Sequence, residues 1–180
     1  CQTPVLRANT TTAGFQRRPA VVWPTGRRLV VAWQVGNVPA EDVKARYFAP
    51  DGTPEMIFGA LRNEVVLGGG ASTQSAPVLT PVTAGSLRGF AGAWETLQVT
   101  PGSVAAQVFN DDPPPGSGAV LTPGARRASP TVAASAERLL LAWREPGMGL
   151  RASTFSPVAR PLGNAGTPVS IADGELSDPR

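Results

Sequence analysis

Histidine is absent from this sequence of 180 residues, and cysteine occurs once, at residue 1. Without histidine the chain has no Ser-His-Asp or Cys-His catalytic arrangement of its own and no histidine-containing zinc site. A single cysteine forms no disulfide within the chain and no thiolate metal site. These absences exclude several enzyme classes. They predict a protein that is not an enzyme and that has no catalytic residue, metal site or cofactor.

Lysine and long apolar runs are also scarce. No stretch of 18 apolar residues occurs, so no membrane-spanning helix is predicted. Lys44 is the single lysine among the 16 basic residues, and the others are arginine. This bias is typical of a GC-rich coding background. The net charge of +3 is therefore weak evidence for an acidic partner. The arginine doublets at 17–18, 27–28 and 126–127 are interpreted as solvated loop residues, the alternative being a patch for phosphate, nucleic acid or acidic glycan. No nucleic-acid partner is expected.

What the sequence has in abundance is glycine and proline, with 20 and 19 residues, which leaves few stretches long enough for helices. Three apolar segments end in tryptophan, at Trp33, Trp94 and Trp143. Each is preceded by a proline that opens an apolar run and is followed by a segment that ends in phenylalanine; these residues are Pro19, Pro77, Pro130, Phe48, Phe109 and Phe155. Repetition at a period of about 50 residues predicts stacked or radially arranged supersecondary units.

The segment before each tryptophan is apolar on both faces when it is written as a strand, as in Leu29 to Trp33 and Leu139 to Trp143. A strand covered on both faces is typical of the inner part of a β-propeller blade. An alanine stands three positions before each phenylalanine, which suggests close contact with a neighbouring sheet: Ala45, Ala106 and Ala152. The sequence therefore predicts an all-β fold of about three four-stranded antiparallel propeller-like blades, forming a partial or open propeller.

The predicted organisation has five parts. Residues 1–16 form an N-terminal lipoprotein-like segment with a stray closing strand, and 177–180 begin a further repeat, because Leu176-Ser177-Asp178-Pro179 is similar to the opening of a unit. The three repeats are 17–72, 73–125 and 126–176. Propellers typically need four to eight blades to close. Three units therefore imply further blades, self-association of two or more copies, or an open arc.

Two resemblances bear on location and function. Cys1-Gln2-Thr3-Pro4 resembles the start of a mature bacterial lipoprotein, whose signal peptide is cut before the cysteine that receives the lipid. The alternative is a chain boundary that falls at a cysteine by chance. From about Gln16 to Arg180, the pattern Pro-x-Val, Ala-Trp, Ala-x-x-Phe and Asp-Gly resembles tandem propeller-type repeats of bacterial surface proteins and lipoproteins. The resemblances imply lipidation of Cys1, an extracytoplasmic position in the bacterial cell envelope, and a protein or carbohydrate partner at the cell surface. The acidic and basic pair that often follows the tryptophan in such families is replaced by Gln34, Glu95 and Arg144-Glu145.

Carboxylates and exposed aromatic residues are the remaining candidates for chemistry. A glycosidase needs two facing carboxylates, but the candidates Glu41-Asp42, Asp51, Asp111-Asp112 and Glu145 lie mostly in turn-rich segments, where such residues cap the backbone. The turn typical of sialidase propellers is absent, and neither Asp51-Gly52 nor Asn110-Asp111-Asp112 has the alternating acidic pattern of a calcium loop.

The repeated tryptophans are predicted to be core residues, whereas Trp23 has no counterpart in the other units. Trp23, with Arg27 and Arg28, is therefore the candidate ligand-binding set. These observations favour a binding or interaction scaffold without catalysis. The alternative is a fragment of a carboxylate-using glycosidase of propeller fold, whose remaining catalytic residues lie outside this chain.

Overall fold

The computed structural model describes residues 5–24, 28–37, 40–55, 64–69, 72–84, 87–97, 102–110, 119–122, 128–155 and 169–172. The regular elements in these ranges are β-strands, and they form three antiparallel sheets of four strands. The first sheet, blade 1, contains β1 (Phe15–Val22), β2 (Leu29–Asn37), β3 (Ala40–Phe48) and β4 (Val65–Gly68). Blade 2 contains β5 (Thr73–Ala84), β6 (Leu87–Leu97), β7 (Ser103–Asn110) and β8 (Ala119–Thr122). Blade 3 contains β9 (Ala128–Ala134), β10 (Leu139–Glu145), β11 (Gly149–Phe155) and β12 (Val169–Ala172).

Within each sheet the strands pair in the order of the sequence, as successive hairpins. The first strands of neighbouring blades contact each other, β1 against β5 and β5 against β9, so the three sheets are arranged side by side with their first strands innermost. The prediction of three four-stranded, antiparallel, propeller-like blades is confirmed. No helix long and apolar enough to cross a membrane occurs in the described part of the chain. Residues 1–4 and 173–180, which include Cys1 and the predicted start of a further repeat, lie outside the described residues.

The three repeated tryptophans are buried, as predicted, with 4%, 3% and 0% of Trp33, Trp94 and Trp143 exposed. Each lies in the second strand of its blade, and the alanine directly before it points to the opposite side of the sheet. We call these two sides the Trp face and the Ala face of a blade. Large side chains dominate the Trp faces, and small residues recur on the Ala faces.

One rule describes both contacts between blades: the Ala face of one blade packs against the Trp face of the next. Ala32 and Ala45 of blade 1 share a core cluster with Phe90 and Trp94 of blade 2. In the second cluster, Ala93 and Ala106 of blade 2 pack with Leu141 and Trp143 of blade 3. The paired alanines, which face each other in the sheet register, leave room for the indole of the next blade. This accounts for the alanine three positions before Phe48 and Phe109.

The two ends of the three-blade array are covered differently. The N-terminal segment 5–13 lies against the outer part of the Trp face of blade 1, where Arg46 Nη1 donates to the carbonyl oxygens of Arg7 and Ala8 at 3.2 Å. Val21 and Trp23, on the inner part of that face, are 62% and 50% exposed. At the other end, Leu140 on the Ala face of blade 3 is 42% exposed, although the equivalent Val30 and Ala91 are buried by the next blade.

Candidate functional site

The innermost strand of every blade carries a bulge at the same place. In blade 1, Arg17 pairs with Gln34 and Ala20 pairs with Ala32, so two residues, Arg18 and Pro19, lie opposite Trp33. Blades 2 and 3 repeat this register shift, which places Ala76-Pro77 opposite Trp94 and Ser129-Pro130 opposite Trp143. Proline cannot donate to a sheet ladder and is found at edge strands and bulges. In the sequence each of these prolines opens an apolar run, which suggests the first residue of a strand. The strands in fact begin two to four residues earlier, at Phe15, Thr73 and Ala128.

The residue before each of these prolines has a left-handed backbone. The φ angles of Arg18, Ala76 and Ser129 are 52°, 51° and 52°. All other positive φ angles in the described part of the chain belong to glycines. A left-handed L-residue costs about 1–2 kcal/mol, and a residue before proline normally adopts an extended conformation. Backbone strain that recurs at equivalent positions requires support from its surroundings, and such strain clusters at functional sites. The bulges therefore mark the innermost edge of the blades as a candidate site.

The three bulges surround an open pocket of about 410 Å³, which we call the axial pocket. Its wall consists of the bulge residues of all three blades together with two neighbours: Arg18, Pro19, Ala76, Pro77, Val78, Glu95, Ser129 and Pro130. The prolines give it apolar sides, and Arg18 and Glu95 place one charge of each sign on its surface. The pocket thus offers donors, acceptors and apolar surface to a ligand.

Glu95, the residue after Trp94, is held firmly at the edge of the axial pocket. Its Oε1 accepts a hydrogen bond from the backbone N–H of Ser129 at 2.7 Å, and its Oε2 accepts one from the hydroxyl of Ser75 at 2.9 Å. The first of these bonds joins blade 2 to blade 3. Because both oxygens are anchored, the carboxylate has a fixed orientation beside the pocket.

A second polar group supports Arg17, the neighbour of Arg18. Glu41, which is 2% exposed, accepts from Arg17 Nη2 at 2.5 Å and from Gln34 Nε2 at 2.6 Å. Gln34 follows Trp33 as Glu95 follows Trp94, and it is buried with its Oε1 lacking a hydrogen-bond partner among the described residues. The ion pair compensates the buried charge of Glu41, since a buried carboxylate without a partner is strongly destabilising. The contacts of Glu41 thereby fix the backbone that leads into the first bulge.

The predicted ligand-binding residues lie away from this pocket. Trp23 follows the end of β1, beyond Val22, and does not line the axial pocket. Arg28 Nε pairs with Glu55 Oε2 at 2.5 Å, with both side chains about a quarter exposed. Arg27 lies outside the described residues, as does Cys1. The ligand-binding role of Trp23, Arg27 and Arg28 stays a prediction.

The carboxylates considered from the sequence are not grouped at one site either. Hydrogen bonds from Thr53, chiefly from its backbone N–H, lower the pKa of Asp51, as expected in a turn. Glu145 Oε2 lies 3.8 Å from Arg151 Nε, so this carboxylate forms an ion pair. Asp111 and Asp112 lie outside the described residues. Among the described carboxylates, Glu95 is the one that lines the axial pocket. Sequence reasoning missed it, although its position directly after a repeated tryptophan was a usable signal. No group of three His, Cys, Asp or Glu residues suited to a metal ion occurs in the described ranges.

Comparison with known proteins supports the architecture. No protein-family model matches this sequence, and a comparison with curated proteins finds no match. Among solved structures, the chain is similar to the catalytic domain of the GH62 α-L-arabinofuranosidase of Coprinopsis cinerea, with a TM-score of 0.54 and 13% identity over 93% of this chain and 54% of that one. It is similar also to the α-L-arabinofuranosidase of Podospora anserina in complex with cellotriose, with a TM-score of 0.53 and 12% identity over 95% of this chain and 56% of that one.

Both neighbours are β-propeller glycosidases, so the likeness supports the propeller-like arrangement of the blades. The chain spans about half the length of these solved structures. At this level of identity the comparison establishes the fold.

Proposed function

We propose that this chain contributes a carbohydrate-binding site to a propeller glycosidase, with the sugar bound in the axial pocket between Arg18 and Glu95. The observation that carries the proposal is the Glu95 carboxylate, which two hydrogen bonds fix at the edge of a pocket shared by three blades. The similarity of the fold to two arabinofuranosidases supports it. These observations favour a fragment of a propeller glycosidase, the alternative prediction from the sequence, over a scaffold without catalysis.

The chemistry of the axial pocket suits a sugar. Sugar hydroxyls donate and accept hydrogen bonds, and the pocket offers a carboxylate that accepts and a guanidinium that donates. Each carboxylate oxygen of Glu95 accepts one hydrogen bond from the protein and has a second lone pair for a ligand. The proline side chains provide apolar surface for the C–H groups of a sugar ring. The volume of about 410 Å³ lies within the range of roughly 300–1,000 Å³ that is typical of small-molecule sites.

Hydrolysis requires more than the described residues supply. Glycosidases generally act with two carboxyl groups about 5–5.5 Å apart when they retain configuration and about 6.5–9.5 Å apart when they invert it. Among the described residues, Glu95 is the one carboxylate on the pocket wall. The proposal therefore assigns sugar binding to Arg18 and Glu95, and a second carboxylate must come from elsewhere for catalysis.

Calorimetric titration with α-L-arabinofuranosides and with cellotriose tests this proposal. We expect Arg18→Ala and Glu95→Gln to weaken binding by about tenfold or more, because each removes a charge-assisted hydrogen bond worth roughly 1.5–3 kcal/mol. Glu137→Gln is the matched control, since Glu137 is an exposed carboxylate in the hairpin between β9 and β10. Absence of binding to the unmodified chain, or equal weakening by all three variants, contradicts the proposal. Release of arabinose from an aryl arabinofuranoside would add hydrolysis to binding.

A further inference from the structure

A second cavity, of about 150 Å³, lies between the N-terminal segment 5–13 and the Trp face of blade 1. We call it the side pocket. Ala8 and Asn9 line it from the segment, and Val31 and Trp33 line it from the sheet. It is a different cavity from the axial pocket, with which it shares Pro19.

The part of the N-terminal segment that covers the side pocket is anchored at two points. Arg46 Nη1 donates a hydrogen bond to the carbonyl oxygen of Ala8 at 3.2 Å. Glu64 Oε1 accepts one from the backbone N–H of Thr10 at 2.6 Å. Because Asn9 lies between these two points, the cover of the pocket has a fixed position.

Two buried polar atoms of the lining residues have no hydrogen-bond partner among the described residues. They are Nε1 of Trp33, a residue that is 4% exposed, and Oε1 of Gln16. Gln16 Nε2 donates to the carbonyl oxygen of Ala13 at 3.0 Å, which fixes the amide and leaves its oxygen for another donor. Buried polar atoms without a partner are exceptional in folded proteins, and these two require an explanation.

The two atoms are placed to bind one chemical group. Gln16 pairs with Val35, which lies two residues after Trp33, so Gln16 and Trp33 are diagonal neighbours on the Trp face. The indole N–H only donates a hydrogen bond, and the amide oxygen only accepts one. A hydroxyl group does both at a single oxygen and can therefore satisfy both atoms.

The size and charge of the side pocket restrict the rest of the ligand. A cavity of about 150 Å³ accommodates one six-membered ring. Pro19 and Val31 provide apolar surface, and the charge of Arg17, which also lines the pocket, is paired with Glu41. A sugar ring does not suit this pocket, because several of its hydroxyls would be buried without a partner. An uncharged ring with one hydroxyl group fits these features.

We propose that the side pocket binds a small phenol. The phenol oxygen accepts a hydrogen bond from Trp33 Nε1 and donates one to Gln16 Oε1, while the ring packs against Pro19 and Val31. This binding is independent of the sugar site in the axial pocket and does not rest on the proposed function.

Nuclear magnetic resonance tests the proposal through the indole N–H signals of the four tryptophans. The signal that is missing from Trp33→Phe identifies Trp33. Phenol is expected to shift this signal selectively, and toluene, which has the ring without the hydroxyl, should bind at least tenfold more weakly because it leaves both polar atoms unpaired. No shift with phenol, an equal shift of all four signals, or equal affinity for toluene overturns the proposal.

Gln16→Leu is expected to weaken phenol binding by about tenfold, because it removes one of the two hydrogen bonds. Gln107→Leu is the matched control, since Gln107 is a half-buried glutamine of β7 that does not line the side pocket. Unchanged phenol affinity in Gln16→Leu, or equal weakening by both variants, contradicts the role of Gln16.

Hydrogen exchange of the unmodified chain provides a measurement that needs no variant. A ligand beneath the N-terminal segment stabilises its closed position, so phenol should raise the protection factors of the Thr10 and Thr11 amides. Protection that does not change at saturating phenol overturns the assignment of the ligand to the side pocket.

Discussion

Glu64 accepts a hydrogen bond from the backbone N–H of Thr10 at 2.6 Å, which ties two points of the chain that lie 54 residues apart. The same carboxylate accepts from the backbone N–H of Thr11 at 3.0 Å and from Lys44 Nζ at 3.1 Å. These contacts hold the N-terminal segment 5–13 against the Trp face of blade 1. A single acidic side chain thus supports the cover of an otherwise open sheet.

Acid is expected to loosen this segment. Burial acts to raise the pKa of Glu64, but the hydrogen bonds from Thr11, Thr10 and Lys44 outweigh it and lower the pKa from 4.5 to about 2. Because the pKa is lower in the folded protein, the stabilisation is complete above the unfolded value of 4.5 and is lost as the pH falls towards 2. Hydrogen-exchange protection factors of the Thr10 and Thr11 amides should fall over this interval. In Glu64→Gln they should be lower at neutral pH and independent of pH, and an unchanged pH profile in that variant would contradict the assignment.

Trp143→Ala is expected to destabilise the protein by about 3–5 kcal/mol, the range for truncation of a buried large aromatic residue. Trp143 is fully buried between blades 2 and 3. Trp23→Ala is the control, and it should cost about 1 kcal/mol or less because half of that side chain is already in water. Urea unfolding measures both. A loss below about 1 kcal/mol for Trp143→Ala would reject its role at the contact between blades.

Gly36→Ala and Gly147→Ala separate steric conflict from backbone strain. Both glycines have positive φ angles, 119° and 78°, but a Cβ at Gly36 would lie 2.4 Å from the carbonyl oxygen of Ala40, whereas nothing lies within 4 Å of one at Gly147. Gly147→Ala is expected to cost about 1–2 kcal/mol from strain alone. Gly36→Ala should cost about 2–4 kcal/mol, because overpacking adds to the strain. Equal losses in thermal unfolding would show that the tight approach of β3 to Gly36 has no energetic effect.

Replacement of a left-handed bulge residue by glycine is expected to stabilise the fold. Ala76→Gly removes a left-handed cost of about 1–2 kcal/mol and adds an entropic cost of about 0.5–1 kcal/mol, which leaves a gain of roughly 0.5–1 kcal/mol. Ala84→Gly, at a buried position of the same strand, should instead lower stability by about 1 kcal/mol. Chemical denaturation of the two variants decides the matter. A loss of stability in Ala76→Gly comparable to that in Ala84→Gly would contradict the strain at the bulge.

The sequence was sufficient to predict the sheets because apolar residues on both faces of a strand require cover on both sides. That rule placed Trp33, Trp94 and Trp143 in the core, where the structure has them. The site was harder to predict because it depends on contacts between blades. Glu95 is fixed by Ser75 in the neighbouring strand and by Ser129, 34 residues away in the next blade. Its place after Trp94 marks the position in the repeat but does not signal the bond to Ser129. The bulges were missed because a proline at the start of a strand and one inside an edge strand give the same short apolar pattern.

Arg18, Ala76 and Ser129 occupy equivalent positions, and their side chains line the axial pocket without taking part in the contacts between blades. These three residues form part of the axial pocket, while the tryptophans and alanines that join the blades lie on the sheet faces. The φ angle is nearly the same at all three positions, although the side chains are those of arginine, alanine and serine. The bulge therefore tolerates different side chains, and each of these residues can be replaced independently of the others. The lining of the axial pocket can therefore change without a compensating change in the packing between the sheets.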